Sequence, residues 1–205
     1  MSNQMGCRLL LGLIALVAPA MATAAPAQWS PLMEPATLAD IREGTPELRI
    51  VRISGDYAAG HIPGAVEASY GNFRGPADNP GALPAMATLT ERVQALGITA
   101  ETPVVLVHQG NGPAEMGTAT RVYWTLKSLG VQDLAVLNGG FSAWDEAGLP
   151  VSTEPHTVAA SGFEPQWQDE WQITTEELEQ AIGSERSRLI DARQPAYYTG
   201  EEAST

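Results

Sequence analysis

The chain has 205 residues, with 11 Lys and Arg against 24 Asp and Glu, for a formal charge of −13. So acidic a surface argues against nucleic acid and anionic membrane surfaces as partners, because like charges repel. It does not exclude a small anion, since oriented backbone amides can outweigh net charge locally.

The N-terminus has the layout of a secretory leader. Met1–Arg8 carries one positive charge, Leu9–Val17 is apolar, and Ala20–Ala27 is rich in small residues. Ala22-Thr23-Ala24 offers a cleavage site that makes 1–24 the leader, and Ala25-Pro26-Ala27 a second site after 27. The apolar run is too short to span a bilayer comfortably, so no membrane span is expected after cleavage. Removing Arg8 leaves −13 − 1 = −14. Cys7, the one cysteine, leaves with the leader, so the mature chain is expected to lack disulfide and thiol chemistry. The expected location is periplasmic or secreted.

In chain order, Thr37–Glu43 reads as a short helix with Leu38 and Ile41 as its apolar stripe. Arg49–Ile53 reads as a strand, and Asp56–Ala59 as the start of a helical turn. Tyr70–Pro84, rich in Gly, Pro and Asn, reads as a long surface loop. Thr88 is placed to cap a helix Leu89–Leu96 that Gly97 ends. Val104–Val107 and Leu134–Leu137 are continuous apolar runs, hence buried strands. Between them lies a long helix, Glu115–Leu129. Its stripe is Val122, Leu126 and Leu129, widened by Tyr123 and Trp124. Gly139-Gly140 makes a turn before a short helix, Ser142–Ala147. Alternating strands and helices predict an α/β fold with a mostly parallel sheet. His61, His108 and His156 stand at no metal-ligand spacing, and neither a metal nor a cofactor is expected.

Three segments carry a resemblance. They are Asp56-Tyr57-Ala58-Ala59-Gly60-His61-Ile62-Pro63-Gly64-Ala65, the strand-loop-helix Val104–Gly130, and Leu137-Asn138-Gly139-Gly140-Phe141-Ser142-Ala143-Trp144 closing with Ala147-Gly148-Leu149-Pro150. In that order and spacing, residues 33–153 resemble a rhodanese domain, of the thiosulfate sulfurtransferase family. The resemblance implies an α/β, rhodanese-like fold with a parallel-stranded sheet flanked by helices. It implies structural roles for His61, a buried imidazole held by hydrogen bonds, for Gly64 in the same turn, and for Trp144 in the core.

It also implies a chemistry. In an active member a cysteine ends the central strand, and a loop of inward N–H groups with a helix N-terminus stabilises its thiolate and persulfide. Sulfur passes from a small anionic donor such as thiosulfate to a thiophile acceptor such as cyanide or a thiol. Here the loop reads His108-Gln109-Gly110-Asn111-Gly112-Pro113-Ala114-Glu115. His108 stands at the cysteine's place, and imidazole cannot form the covalent sulfur intermediate. Glu115 would repel an anionic donor. No catalytic residue is therefore expected in this chain. The loop residues Gln109, Gly110, Asn111 and Gly112 are candidates for anion binding, with Arg74, beside Asn72 and Phe73, as a further contributor.

Leu189-Ile190-Asp191-Ala192-Arg193, with Tyr198 seven residues after Asp191, is similar to the opening of a second family copy. Thr174–Ile182 reads as that copy's first helix. The expectation is a linker over 154–172 and the start of a second domain over 173–205. The chain then resembles the non-catalytic N-terminal part of an exported tandem sulfurtransferase, whose cysteine would lie beyond Thr205. Active second copies often place an anion-binding arginine before the aromatic. Here that residue is Tyr197, which leaves donor preference open. Two other readings are a cysteine-free binding module for a small anion or partner protein, and an unrelated enzyme pairing His108 with Glu115 or Asp56.

Overall fold

Two apolar runs decide the architecture. Val104–Val107 and Leu134–Leu137 are buried along their whole length. A strand with no polar face needs cover on both sides. The computed structural model describes residues 25–184 and 187–203 and supplies both covers. Its sheet has five parallel strands in the order β1-β5-β4-β2-β3. These are β1 Leu32–Met33, β2 Arg49–Arg52, β3 Val66–Glu67, β4 Val104–Val107 and β5 Leu134–Leu137. Val51 pairs with Leu106 and Leu106 with Val136. These three point to one face, where they meet Leu89 and Val93 of α2 (Met86–Ala95) and Val122 and Leu126 of α3 (Pro113–Ser128). Ile50, Val105 and Ala135 point to the other face, against Leu38 and Ile41 of α1 (Pro35–Arg42) and Trp144 of α4 (Gly140–Glu146). This is the parallel-stranded sheet flanked by helices that the alternating pattern predicts.

The helix ends differ from the sequence reading for identifiable reasons. α1 and α3 begin at Pro35 and Pro113, each about a half-turn earlier than predicted, because proline suits the first helical position. α2 begins at Met86, and Thr88 caps nothing. The stretch Ala85-Met86-Ala87 has high enough helix propensity to carry the helix past the threonine. Asp56–Ala59 closes as a turn in which the Asp56 carboxylate accepts the Ala59 N–H at 3.1 Å. That local bond competes with helix. The 70–84 loop opens with a 3-10 turn, Tyr70–Phe73, that buries Phe73 completely. β1 and β3 are two residues each and too short to leave a periodic signal.

α4 starts at Gly140, two residues before the predicted Ser142, entered through a left-handed Gly139. Gly140 itself has φ 64°, and a Cβ there would overlap the His108 carbonyl and lie 2.9 Å from His108 Nδ1. Gly148 has φ 67° but nothing within 4 Å of its Cβ position. Gly148→Ala should therefore cost only the left-handed penalty, about 1–2 kcal/mol. Gly140→Ala should cost clearly more. Urea unfolding of both variants checks this, and equal losses would show that the close approach to His108 is not what requires the glycine.

After α4 the chain bridges back, with His61 and Ser152 exchanging two backbone hydrogen bonds at 2.9 Å. The stretch 154–172 then runs along the outer helices. Phe163 and Trp167 pack half-buried against the core, the Gln94 side chain donates to the Phe163 carbonyl at 2.8 Å, and the Gln168 N–H to Ser128 at 2.7 Å. α5 (Thr175–Ala181) starts with a reciprocal Thr174–Glu177 capping box, and α6 (Pro195–Thr199) follows. Neither contains a buried residue. The leader reading for 1–24, with Cys7, lies outside the described residues. No helix among the described residues is long and apolar enough to cross a membrane.

Candidate functional site

In a parallel sheet covered on both faces, the loops beyond the carboxyl ends of the strands are where ligands are met. His108 is the first residue beyond β4, and the loop to α3 starts there. Neighbouring β2 ends at Arg52, with Ser54 just after it. The sheet order, and nothing in the local sequence, brings these two strand ends together.

His108 is 3% exposed, and neither ring nitrogen reaches a hydrogen-bond partner. Burial pushes its pKa below the ordinary 6.5, as the largest influence. The Glu115 carboxylate, 3.8 Å from Nδ1, pulls it back up, and Arg52 pushes it down. The Leu137 carbonyl also favours the cation, without meeting hydrogen-bond geometry. The ring is thus a neutral imidazole beside a carboxylate at neutral pH.

Arg52 is 2% exposed and has no ion-pair partner among the described residues. Its Nη1 donates to the His108 carbonyl at 3.0 Å, its Nη2 to Gln109 Oε1, and its guanidinium lies over the Phe141 ring at 4.4 Å. Burial lowers its pKa and the field of Glu115 raises it. Glu115, in the first turn of α3, accepts from the Ser54 hydroxyl and from the Gly110 N–H, both at 3.1 Å. Ser54 in turn accepts the Gln109 N–H at 3.0 Å, and Ser142 donates its hydroxyl to the Gln109 carbonyl at 2.8 Å. The positive groups of this loop therefore face a carboxylate that the chain itself supplies. A carboxylate in the first turn also offsets the positive end of the helix dipole.

The structure separates the candidate residues. The N–H groups of Gln109 and Gly110 donate within the chain. Asn111 and Gly112 are exposed at the loop tip. Arg74 is exposed, stands over Tyr70 at 5.3 Å, and shares with Arg52, Ser54 and Ser69 a cavity of about 320 Å³. Phe73 belongs to the core, and Asn72 lines a different cavity. Of the two carboxylates considered beside His108, Glu115 is there and Asp56 is not; Asp56 is spent on the Ala59 turn.

The remaining marked residues lie away from this loop. His61 is fully buried, its Nδ1 at 2.8 Å from the Tyr57 carbonyl and its Nε2 at 3.0 Å from that of Glu154. Its ring stacks on Tyr57 at 3.7 Å. It ties the 57–65 turn to the chain after α4. Gly64 sits in that turn with φ 83°. Trp144 is fully buried and donates Nε1–H to the Pro150 carbonyl at 2.8 Å. Among the described residues no group of three metal-ligating side chains forms.

Sequence reading missed Arg52, Ser54 and Ser142. Arg52 left one usable signal, a charge inside the apolar run Ile50-Val51-Arg52-Ile53 at the carboxyl end of a parallel strand.

The buried imidazole has a pH consequence. Its folded pKa is lowered, so the folded state binds fewer protons than the unfolded chain. Its contribution to stability is intact above the unfolded value near 6.5 and is lost as pH falls below it, until the folded pKa is passed. His108→Asn should flatten the stability profile in the mildly acidic range. Identical slopes for variant and wild type would show that the ring is not held neutral.

Comparison with known proteins completes the picture. The description "Rhodanese-like domain" matches residues 29–147. Thiosulfate sulfurtransferase of Gallus gallus is 32% identical over 148 residues, covering 69% of this chain and 49% of that protein. That of Bos taurus is 31% identical over 150 residues, covering 72% and 49%. The chain thus spans about half the length of these relatives. The crystal structure of SseA from Escherichia coli, described as a 3-mercaptopyruvate sulfotransferase, superposes with TM-score 0.68 at 21% identity. It covers 84% of this chain and 69% of that one, and establishes likeness of fold. The strand order, the loop after β4 and these matches agree: the chain belongs to the rhodanese family.

Proposed function

We propose that the chain supplies the non-catalytic half of an exported tandem sulfurtransferase. In that protein a second unit, opening near Thr174, carries the cysteine that takes sulfane sulfur from thiosulfate or a similar donor and passes it to a thiophile. The observation that carries this reading is the loop after β4. A buried, neutral His108 stands where the family's chemistry needs a thiolate, and Glu115 holds the Gly110 amide and the Ser54 hydroxyl that would stabilise one. Two further facts support it. The chain covers about half of its thiosulfate sulfurtransferase relatives, 49% of the Gallus gallus protein. Ile173, Ile182, Leu189, Ile190 and Tyr198 are each more than half exposed, so the segment from 173 presents apolar groups that a larger unit would cover.

The test is thiosulfate-to-cyanide transfer by residues 25–205, which carry no cysteine, and by the product of the whole reading frame. Activity in the longer protein alone supports the proposal. Activity in the chain without a cysteine overturns the mechanism. No activity in either, with no second unit encoded, overturns the tandem reading in favour of a binding module for a small anion or a partner protein.

A further inference from the structure

Two Asn-Gly pairs occur in the chain, Asn111-Gly112 and Asn138-Gly139. An asparagine amide is open to attack by the backbone nitrogen that follows it, and glycine, without a Cβ, shields that nitrogen least. The other asparagines among the described residues are poorly placed. Asn79 precedes Pro80, which has no N–H, and Asn72 precedes the wholly buried Phe73.

The fold treats the two pairs oppositely. Asn138 leads from β5 into α4. Its N–H donates to the Met33 carbonyl and its Nδ2 to Glu34 Oε1, both at 2.8 Å. A Cβ on Gly139 would lie 2.5 Å from Ala143 Cβ, and the Gly139 carbonyl accepts the Ala143 N–H at 3.3 Å. Asn111-Gly112 instead stands exposed at the tip of the loop after β4. Neither the Asn111 side chain nor the Gly112 N–H makes a hydrogen bond among the described residues. Gly112 has φ 127°, and nothing lies within 4 Å of its Cβ position. The tip is anchored at both ends, by the Gly110 N–H on Glu115 at 3.1 Å and by the Gly112 carbonyl, which accepts the Glu115 N–H at 3.2 Å. Between these anchors it is free, as exposed loop tips are.

We propose that Asn111 is a site of spontaneous deamidation, and that the fold keeps Asn138 from the same reaction. The Gly112 nitrogen attacks Asn111 Cγ. A new N–Cγ bond forms, the Cγ–Nδ2 bond breaks, and ammonia leaves with the proton from the nitrogen. Water then opens the cyclic imide at either carbonyl, giving aspartate or isoaspartate. Nothing is oxidised or reduced, and water is the co-reactant. The loop gains a second carboxylate near Glu115, in a step that does not reverse. The site stands whether or not the sulfur-transfer reading holds.

The test is incubation of the folded chain in mildly alkaline buffer, followed by tryptic digestion and mass spectrometry. Cleavage after Arg92, Arg121, Lys127 and Arg186 places Asn111 and Asn138 in separate peptides, 93–121 and 128–186, and 93–121 contains no aspartate of its own. Asn111 should convert about tenfold faster than Asn138 or more, the factor that a hydrogen bond to a carboxylate supplies. In urea the two rates should come together. Asn111→Gln, exposed and without a packing role, should leave 93–121 free of isoaspartate. Equal rates in the folded chain, faster conversion at Asn138, or no conversion at Asn111 while the urea-unfolded chain reacts would overturn the proposal.

Discussion

His108→Cys, made in the chain without residues 1–24, should place a thiol at the end of β4 and still give no sulfur transfer from thiosulfate to cyanide. Position alone does not make a cysteine reactive; the thiolate does the chemistry, and its population is set by the local field. Here burial and the Glu115 carboxylate, 3.8 Å from the ring it would replace, both disfavour a second negative charge. The Gly110 N–H and the Ser54 hydroxyl, which could stabilise a thiolate, already donate to Glu115. The introduced thiol should therefore titrate above the ordinary cysteine value of about 8.5. Adding Glu115→Ala should bring it down by about 1–3 units, since it removes the like charge and frees both donors. Thiolate absorbance against pH measures this directly. A single variant His108→Cys whose thiol titrates below the ordinary value would falsify the view that Glu115 occupies the loop's anion place.

Trp144→Ala should cost about 3–5 kcal/mol of folding stability, the range for deleting a large aromatic from a close-packed core. The indole is completely buried in the cluster that also holds Leu38, Ile41, Val105 and Leu137, so its loss opens a cavity between α1, α4 and the sheet. Nε1–H also ties α4 to the Pro150 carbonyl, and from there the chain leads to the Ser152–His61 bridge. Trp144→Phe keeps most of the volume and removes that hydrogen bond. It should cost less, and the lost hydrogen bond to the carbonyl of exposed Pro150 should account for about 0.5–1.5 kcal/mol of it. Denaturant unfolding of both variants decides the matter. A loss under about 1 kcal/mol in Trp144→Ala would place the wall of that core elsewhere.

Much of the fold is legible residue by residue. Val104–Val107 reads as a buried strand because a four-residue run without a polar position has nowhere to go except between two layers. The α3 stripe Val122, Leu126 and Leu129 reads correctly because helical periodicity is a local property of the chain. The helix starts read less well. Pro35, Pro113 and the alanines around Met86 decided them, while Thr88 offered a cap that was not used. Proline's fixed φ and alanine's propensity outweighed a single side-chain hydrogen bond.

The site divides in the same way. By itself the sequence determined the family, through the Gly-His-Ile-Pro-Gly and Gly-Gly-x-x-Ala-Trp segments, and it determined that no thiol stands after the central strand. Both are properties of adjacent residues. Only the tertiary structure decided that Arg52, Ser54 and Glu115 close on the His108 loop. Ser54 and Glu115 are 61 positions apart, and Arg52 and the His108 carbonyl 56. Such pairs meet because β2 and β4 lie side by side in the sheet, and strand order is a result of packing the whole core, which no local pattern of residues records.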